Sequence, residues 1–221
     1  MADRHWPRAL MTGFRDPRVA CVTGLTLPIE LETRAQHWFE RRSSLCRGFD
    51  QRTFDRETFE PLRAGRVGVG ANMAVRPAVV QALGWFDETL DVGTPTRSGG
   101  DYDLFWRLLA AGHRIVYEPK ALVLHRHRRS WGELRQAFFG YGVGLFAAST
   151  RDLLVSRDPA VLRLAAGWLW YRQYPALLHS LLRRPDRVPL DLLLAELCGC
   201  IVGPLAYGLA HWHRPSCAAP S

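Results

Sequence analysis

Lysine is almost absent from this chain, since Lys120 is the only one among 29 basic residues. The formal charge of +8 at neutral pH is therefore carried by arginines, which are scattered along the sequence and form no block. Nucleic-acid-binding proteins usually gather their cations on one stripe or helix, so the charge does not favour that class. A basic surface still suits phosphates or acidic headgroups.

Cysteine signatures for metals and disulfides are also missing. The five cysteines include no C-x-x-C pair, and the spacing of Cys198 and Cys200 is poor metal geometry without further ligands nearby. The five are Cys21, Cys46, Cys198, Cys200 and Cys217. We expect free thiols in a reducing compartment.

The segment MADRHWPRALM at the start lacks the apolar core of a signal peptide, so export is not expected. A cytoplasmic location is predicted, including contact with the inner face of the membrane. The chain of 221 residues is 48% hydrophobic and 23% charged, which is too apolar for disorder and large enough for a packed core.

The first part of the chain reads as a strand followed by a helix. The run VACVTGLTL at Val19–Leu27 is rich in β-branched residues and ends before a proline, which predicts a strand. An amphipathic helix is predicted over Thr33–Arg47, and residues 48–66 read as a polar loop.

A second region alternates short strands and helices. Val67–Val75 predicts a buried strand, and a short helix is expected to begin at Pro77 and end at Gly84. Residues 85–100 read as a loop that ends in a glycine pair. Asp101 is then expected to open a second helix.

Gly112 should end that helix. Two short strands are predicted after it, at Arg114–Glu118 and Ala121–His125. Ser130 and Glu133 form the S-x-x-E pattern of a helix capping box.

From about Asp152 the sequence predicts an apolar helical region with clustered tryptophans and tyrosines. Its last apolar run, Leu197–Ala210, is uncharged for 14 residues, which is short of the roughly 20 that span a bilayer. A packed hairpin or an interfacial segment is the favoured interpretation, and ordinary core aromatics are the alternative.

Two carboxylates lie at the start of the predicted second helix. Asp101 and Asp103 are two positions apart and therefore point about 200° apart around a helix, so one is expected to face a cleft while the other pairs elsewhere. Helix capping is the alternative for both.

His125 and His127 alternate, so on an extended segment both point to one side. Such a pair can contribute to a metal site. The neighbouring Arg126, Arg128 and Arg129 oppose a metal and suit a diphosphate instead, and a solvated basic turn is the alternative to both.

Asn72 follows Gly70 on a glycine-marked strand. Its amide could contact a ligand hydroxyl or bond only to neighbouring backbone.

The order of these pieces resembles one family. The segments GANMAVRPAVVQALGWFDE, GTPTRSGGDYDLFWRLLAAGHRIVYEP, ALVLHRHRRS and LRQAFFGYGVG occur in the order seen in family 2 GT-A glycosyltransferases. The FDE and D-x-D-L elements also resemble the galactosyltransferase C-terminal segment. The resemblance covers about residues 14–150 and implies an α/β fold: the C-terminal half of a GT-A domain over residues 1–150, followed by a helical region over residues 151–221.

The resemblance implies a role for each matching residue. Asp101 matches the catalytic base, which deprotonates the acceptor hydroxyl while the diphosphate leaves. His125, with His127 beside it, matches the position near the metal and diphosphate. The implied donor- and acceptor-binding positions are Gly70, Asn72, Trp85, Asp87, Gly99, Gly100 and Asp103, with Gly100 standing where the family often has Glu.

The family also implies a nucleotide-sugar donor, an acceptor and a divalent metal, Mg²⁺ or Mn²⁺. No D-x-D metal motif occurs before Asp101, and no strand of the nucleotide-binding kind precedes Val19. We therefore expect an N-terminally truncated glycosyltransferase of the inverting, hexosyltransferase type, which is inactive alone because its donor-binding half is missing. A separately encoded N-terminal half is its expected partner. The alternative is a non-catalytic remnant or binding subunit. Peripheral membrane contact is expected, and nucleic-acid binding is not.

Overall fold

A computed structural model describes residues 1–57, 67–157, 160–185 and 187–212. These residues divide into two compact units, and a unit can comprise separate segments of the chain. The first unit comprises residues 1–86 and 101–135, and the second comprises residues 87–100 and 136–221. The boundary predicted after residue 150 lies inside a single helix, α5 (Trp131–Ser156).

The elements of the first unit follow one another in the order below. They are α1 (Trp6–Gly13), β1 (Val19–Pro28), α2 (Arg34–Ser43), β2 (Arg52–Phe54), a 3₁₀ turn (Gly70–Asn72), β3 (Met73–Val75), α3 (Pro77–Ala82), α4 (Gly100–Ala110) and β4 (Arg114–His125). The first residue of α4 and most of α5 belong to the second unit.

A four-stranded mixed sheet forms the centre of the first unit, in the order β2-β4-β1-β3. β1 runs parallel to β4, whereas β2 and β3 pair antiparallel at the two edges. β1 is buried along nearly its whole length because both faces of the sheet are covered.

Each face of the sheet has its own apolar cluster. On one side, Leu104, Phe105 and Leu108 of α4 pack with Val80 of α3 against the sheet. On the other side, Ala9 and Leu10 of α1 pack against Val22 and Val116. The sheet is therefore the middle layer of a three-layer α/β arrangement, which agrees with the predicted fold class.

Several predicted elements are confirmed. β1 covers the predicted strand, and α3 begins at Pro77. Gly84 and Gly112 both take positive φ, as expected of residues that end helices. The Ser130–Glu133 capping box forms with both reciprocal hydrogen bonds.

Other predictions need correction. The helix predicted over Thr33–Arg47 ends at Ser43 and is capped by Thr33. The buried strand predicted over Val67–Val75 is a 3₁₀ turn followed by three strand residues. The predicted 48–66 loop contains the edge strand β2, and its residues 58–66 lie outside the described part of the chain.

The two strands predicted at 114–118 and 121–125 are one strand with an irregularity. Its register against β1 shifts between Gly24 and Leu25, so that Gly24 faces Glu118 and Leu25 faces Leu122. The extra residues include Pro119, which has no backbone N–H to donate to a neighbouring strand. The chain thus continues through a bulge that a sequence pattern interprets as a break.

The second unit contains a 3₁₀ turn (Glu88–Leu90), most of α5, α6 (Ala160–Trp168), a π-helical turn (Leu169–Gln173), α7 (Tyr174–Leu181) and α8 (Leu190–Trp212). This agrees with the predicted helical C-terminal region, except that residues 213–221 lie outside the described part. The four described cysteines are free thiols, as expected, and Cys217 lies outside the described residues.

Candidate functional site

The carboxylate of Asp101 is held in place at the start of α4. Its Oδ2 accepts the backbone N–H of Gly70 at 2.9 Å, and its Oδ1 accepts the N–H of Tyr102 at 2.9 Å. Asp101 is only partly buried, and a carboxylate has about four acceptor positions. Lone pairs therefore remain on Asp101 for a ligand hydroxyl.

Gly70 must be small for this arrangement to form. A Cβ on Gly70 would stand 3.0 Å from the Cβ of Asp101 and 3.1 Å from its Oδ2. Two of the predicted site residues are thus brought into direct contact from positions 31 residues apart in the chain.

Asp103 turns away from Asp101, as the helical spacing predicts. Its side chain is fully buried and forms an ion pair with Arg107, at 2.7 Å from Nη2 and 2.8 Å from Nε. In this structure Asp103 therefore has no surface to offer a ligand, which speaks against the direct binding role that the resemblance implies. The D-x-x-x-R spacing on one helix face could have revealed this pair from the sequence.

Arg107 extends the same contact to the loop after α3. It donates to the carbonyl oxygens of Leu83 at 2.9 Å and Trp85 at 2.7 Å. Trp85 is half exposed and has a positive φ of 59°, which is uncommon for a bulky residue. Arg107 thereby fixes the backbone of Trp85, a residue predicted to contact the acceptor substrate, and leaves the indole of Trp85 exposed.

Asn72 is a structural bridge at the bulge between β1 and β4. Its Nδ2 donates to the carbonyl oxygens of Leu25 at 2.8 Å and Ala121 at 2.9 Å. Its Oδ1 accepts from the indole Nε1 of Trp6 at 2.7 Å. Asn72 is fully buried, and both polar atoms of its side-chain amide are hydrogen-bonded. A structural role in bonding to the backbone therefore fits Asn72 better than contact with a ligand.

His125, His127 and Glu40 form a chain of contacts. The Nδ1 atoms of the two histidines are 3.3 Å apart, and Nε2 of His127 is 3.0 Å from Oε2 of Glu40. His127 is almost completely buried and packs its ring edge against Phe39. Glu40 lies 87 residues from His127, and no sequence pattern points to this contact.

These contacts assign the protons when both imidazoles are neutral. The Glu40 carboxylate can only accept, so Nε2 of His127 carries the hydrogen and its Nδ1 is the acceptor. Nδ1 of His125 must then donate to His127, which leaves a lone pair on Nε2 of His125. Burial lowers the pKa of His125, and the positive charge of Arg128 acts in the same direction, so the neutral form is favoured at pH 7.

The metal implied by the resemblance does not find a ligand set here. Within the described ranges, no group of three or more His, Cys, Asp and Glu side chains could hold a metal ion. His127 is engaged by Glu40, so the histidine pair offers only Nε2 of His125. Further ligands would have to come from outside these residues.

The arginines after β4 are mostly paired. Arg129 contacts Glu30 at 2.5 Å and Glu32 at 2.6 Å, and Arg126 lies 3.6 Å from Glu30. Arg128 is exposed. Arg126 and Arg129 are exposed as well, so each of the three guanidinium groups is accessible to a phosphate oxygen.

The remaining predicted residues belong to the second unit. Asp87 accepts from Thr89 through Oδ1 and from Arg151 through Oδ2, the latter at 3.0 Å. Burial would raise the pKa of Asp87, but the hydrogen bonds from Thr89 and Arg151 outweigh it and lower that pKa. Gly99 and Gly100 pack tightly against the carbonyl oxygens of Gly144 and Leu90 respectively.

The sequence of the chain is similar to those of known glycosyltransferases. A sequence profile of the family described as "Glycosyltransferase like family 2" matches residues 5–139. Two curated proteins named "Pre-mycofactocin glycosyltransferase" are similar to the chain, one from Mycobacterium tuberculosis strain CDC 1551 / Oshkosh and one from strain ATCC 25618 / H37Rv. Each is 36% identical over 142 residues, which is 62% of this chain and 27% of the relative. The chain thus spans about a quarter of their length, and no solved structure matches it.

Proposed function

Because the chain belongs to the glycosyltransferase-like family 2, we propose that it forms the acceptor side of an enzyme that transfers a sugar from a nucleotide-sugar to a hydroxyl group. The observation that carries the proposal is the Asp101 carboxylate at the start of α4. It accepts a hydrogen bond from the Gly70 N–H and keeps further lone pairs that can accept a hydrogen bond from an acceptor hydroxyl. The narrower likeness to the galactosyltransferase C-terminal segment, and a hexose as the transferred sugar, belong to the same proposal.

In the proposed reaction Asp101 accepts the proton of the acceptor hydroxyl. The electron pair left on the acceptor oxygen forms the new bond to the anomeric carbon, while the bond from that carbon to the diphosphate breaks and its electrons leave with the diphosphate. A single displacement of this kind inverts the anomeric configuration. In this reaction the exposed Arg128 would contact phosphate oxygens, and Nε2 of His125 would offer a lone pair to a divalent cation.

Donor binding requires more than the described residues supply. They provide no three-ligand metal group, and the chain spans 27% of the relatives' length. We propose that residues beyond those described, equivalent to the N-terminal part of the relatives, complete donor binding. A non-catalytic remnant or binding subunit of such an enzyme is the second candidate.

The test is a transfer assay on the chain alone and on the chain mixed with the N-terminal segment of the relatives. Radiolabelled UDP- and GDP-hexoses are the donors, and the name of the relatives makes pre-mycofactocin the first acceptor to try. Proton NMR of the product reports the anomeric configuration, for which inversion is expected.

Asp101→Asn should reduce the reconstituted rate about 100-fold or more, the usual contribution of a general base. The exposed Asp50→Asn is the matched control and should leave the rate unchanged. An unchanged rate in Asp101→Asn would show that the base has been assigned wrongly. A folded chain that shows no transfer, either alone or mixed with the N-terminal segment, would support the non-catalytic remnant.

A further inference from the structure

The second unit ends in a long apolar helix. α8 extends over 23 residues, from Leu190 to Trp212, and by length and composition alone it could cross a membrane. In the structure, 44% of an 18-residue apolar stretch of this helix is buried against the rest of the protein. One face of α8 is therefore covered by protein and another is not.

The covered face is fixed by glycines. Gly199 and Gly203 are four positions apart, and a Cβ on either would collide with or crowd α5, at the carbonyl oxygens of Phe139 and Val143. Small residues with this spacing allow two helices to approach closely. Glu196 also lies on the buried side, where its Oε2 accepts from Gln173 at 2.8 Å. Contacts this close fix which face of α8 turns outward.

The outward face of α8 is aliphatic. Ile201 is 75% exposed and Leu205 is 70% exposed, and the other members of the stripe follow at helical spacing. The stripe consists of Leu194, Ile201, Leu205, Leu209 and Trp212. At about 1.5 Å per residue, it extends for roughly 27 Å along the helix. Exposed apolar rows of this size generally mark an interaction surface.

The neighbouring helix contributes aromatic rings. Trp170 and Tyr174 stack at 5.1 Å with an angle of 4° between their planes, and both are exposed, as is Tyr171. They lie in the π-helical turn and at the start of α7, a helix that contacts α8. Leu178 and Leu181 continue the exposed apolar side of α7, and the exposed Leu182 follows directly after the helix.

Positive charge adjoins these apolar residues. The connection from α7 to α8 carries Arg183, Arg184 and Arg187, all exposed, and the sequence of this segment includes one aspartate. Arg172 is exposed in the π-helical turn. Aliphatic residues bordered by Trp, Tyr and Arg match the composition of a bilayer's headgroup boundary, where aromatic rings and cations sit beside buried alkyl groups.

We infer that the exposed faces of α7 and α8, with the arginines between them, form a surface that binds an anionic phospholipid bilayer. Charge and composition together indicate an anionic bilayer as the binding partner. The arginines complement acidic headgroups, and the aliphatic stripe of α8 inserts at the boundary between headgroups and acyl chains. The surface lies on the bilayer and does not span it, because the opposite face of α8 is engaged with α5. The proposed transfer reaction is not needed for this inference.

The first test is sedimentation of the 221-residue chain with vesicles of phosphatidylcholine alone and with 30% phosphatidylglycerol. The chain should bind the anionic vesicles. Replacing Arg183, Arg184 and Arg187 together by Glu should weaken that binding about 100-fold. The control replaces Arg8, Arg15 and Lys120 by Glu, which makes the same change in net charge at exposed positions of the first unit and should change binding less than threefold.

The second test addresses the apolar stripe. Ile201→Glu with Leu205→Glu should abolish binding, whereas Leu154→Glu with Val155→Glu, at equally exposed positions of α5, should not. An alkaline carbonate wash should release the bound chain.

Four results would overturn the inference. In the first, the wild-type chain stays in solution with both kinds of vesicle, and in the second, a variant and its control lose vesicle binding equally. In the third, the bound chain resists the carbonate wash. In the fourth, the chain self-associates and does not bind vesicles. The last would assign the surface to a second copy of the chain.

Discussion

Replacing Asp103 by asparagine is expected to destabilise the first unit by about 3 kcal/mol. The side chain keeps its shape but loses its charge, so the guanidinium of Arg107 remains nearly buried without a counterion. Attraction between unit charges 2.7 Å apart is about 6 kcal/mol at an effective dielectric constant near 20, before the cost of desolvation. Breaking a buried pair from one side usually costs about 3–5 kcal/mol, and the 12% exposure of Arg107 favours the lower end.

The assay is urea denaturation followed by circular dichroism at 222 nm, with exposed Asp50→Asn as the control that should change stability by less than about 0.5 kcal/mol. The double variant Asp103→Asn/Arg107→Met should be less destabilised than the sum of its single variants by more than about 1 kcal/mol. If the free energy of unfolding of Asp103→Asn lies within about 1 kcal/mol of the wild-type value, the ion pair does not stabilise α4.

Three further predictions concern the site and its supports. Asn72→Ala removes three internal hydrogen bonds and should cost roughly 3 kcal/mol in the same denaturation assay, and a loss below about 1 kcal/mol would contradict the bridging role. In ¹⁵N NMR spectra at neutral pH, His125 should carry its hydrogen on Nδ1 and His127 on Nε2, and the reverse tautomers would refute the proton assignment. The pKa of Asp87 is lowered on folding, so its contribution is complete above its unfolded pKa of about 3.9 and is lost as pH falls through the folded value. Asp87→Asn should therefore destabilise the second unit at pH 7, and its difference in stability from the wild type should shrink as the pH falls below about 3.9, whereas a difference that is independent of pH would argue against the ion pair with Arg151.

The membership of the chain in family 2 was predictable because the family's motifs are local and follow one another in order. The profile match over residues 5–139 confirms that prediction at the level of the family. Inversion, the metal, truncation and the roles of individual residues stay predictions, because each depends on ligands or on residues beyond these motifs.

The opposite orientations of Asp101 and Asp103 were also predictable. Two residues that are two positions apart on a helix must point in different directions, whatever the rest of the chain does. Only the structure shows that Asp103 is the buried member and that Asp101 meets Gly70. That choice depends on which side of α4 faces the sheet.

Local pattern by itself determined the helix starts at Pro77 and Ser130, the strand at Val19 and the helical character of the C-terminal region. Backbone geometry and hydrophobic period act over a few residues, so a sequence displays them directly. The tertiary structure decided that β4 continues through its bulge, that Asn72 bridges this bulge, and that Glu40 orients the histidine pair. Those contacts join residues 47 to 87 positions apart, and only the folded chain brings such residues together.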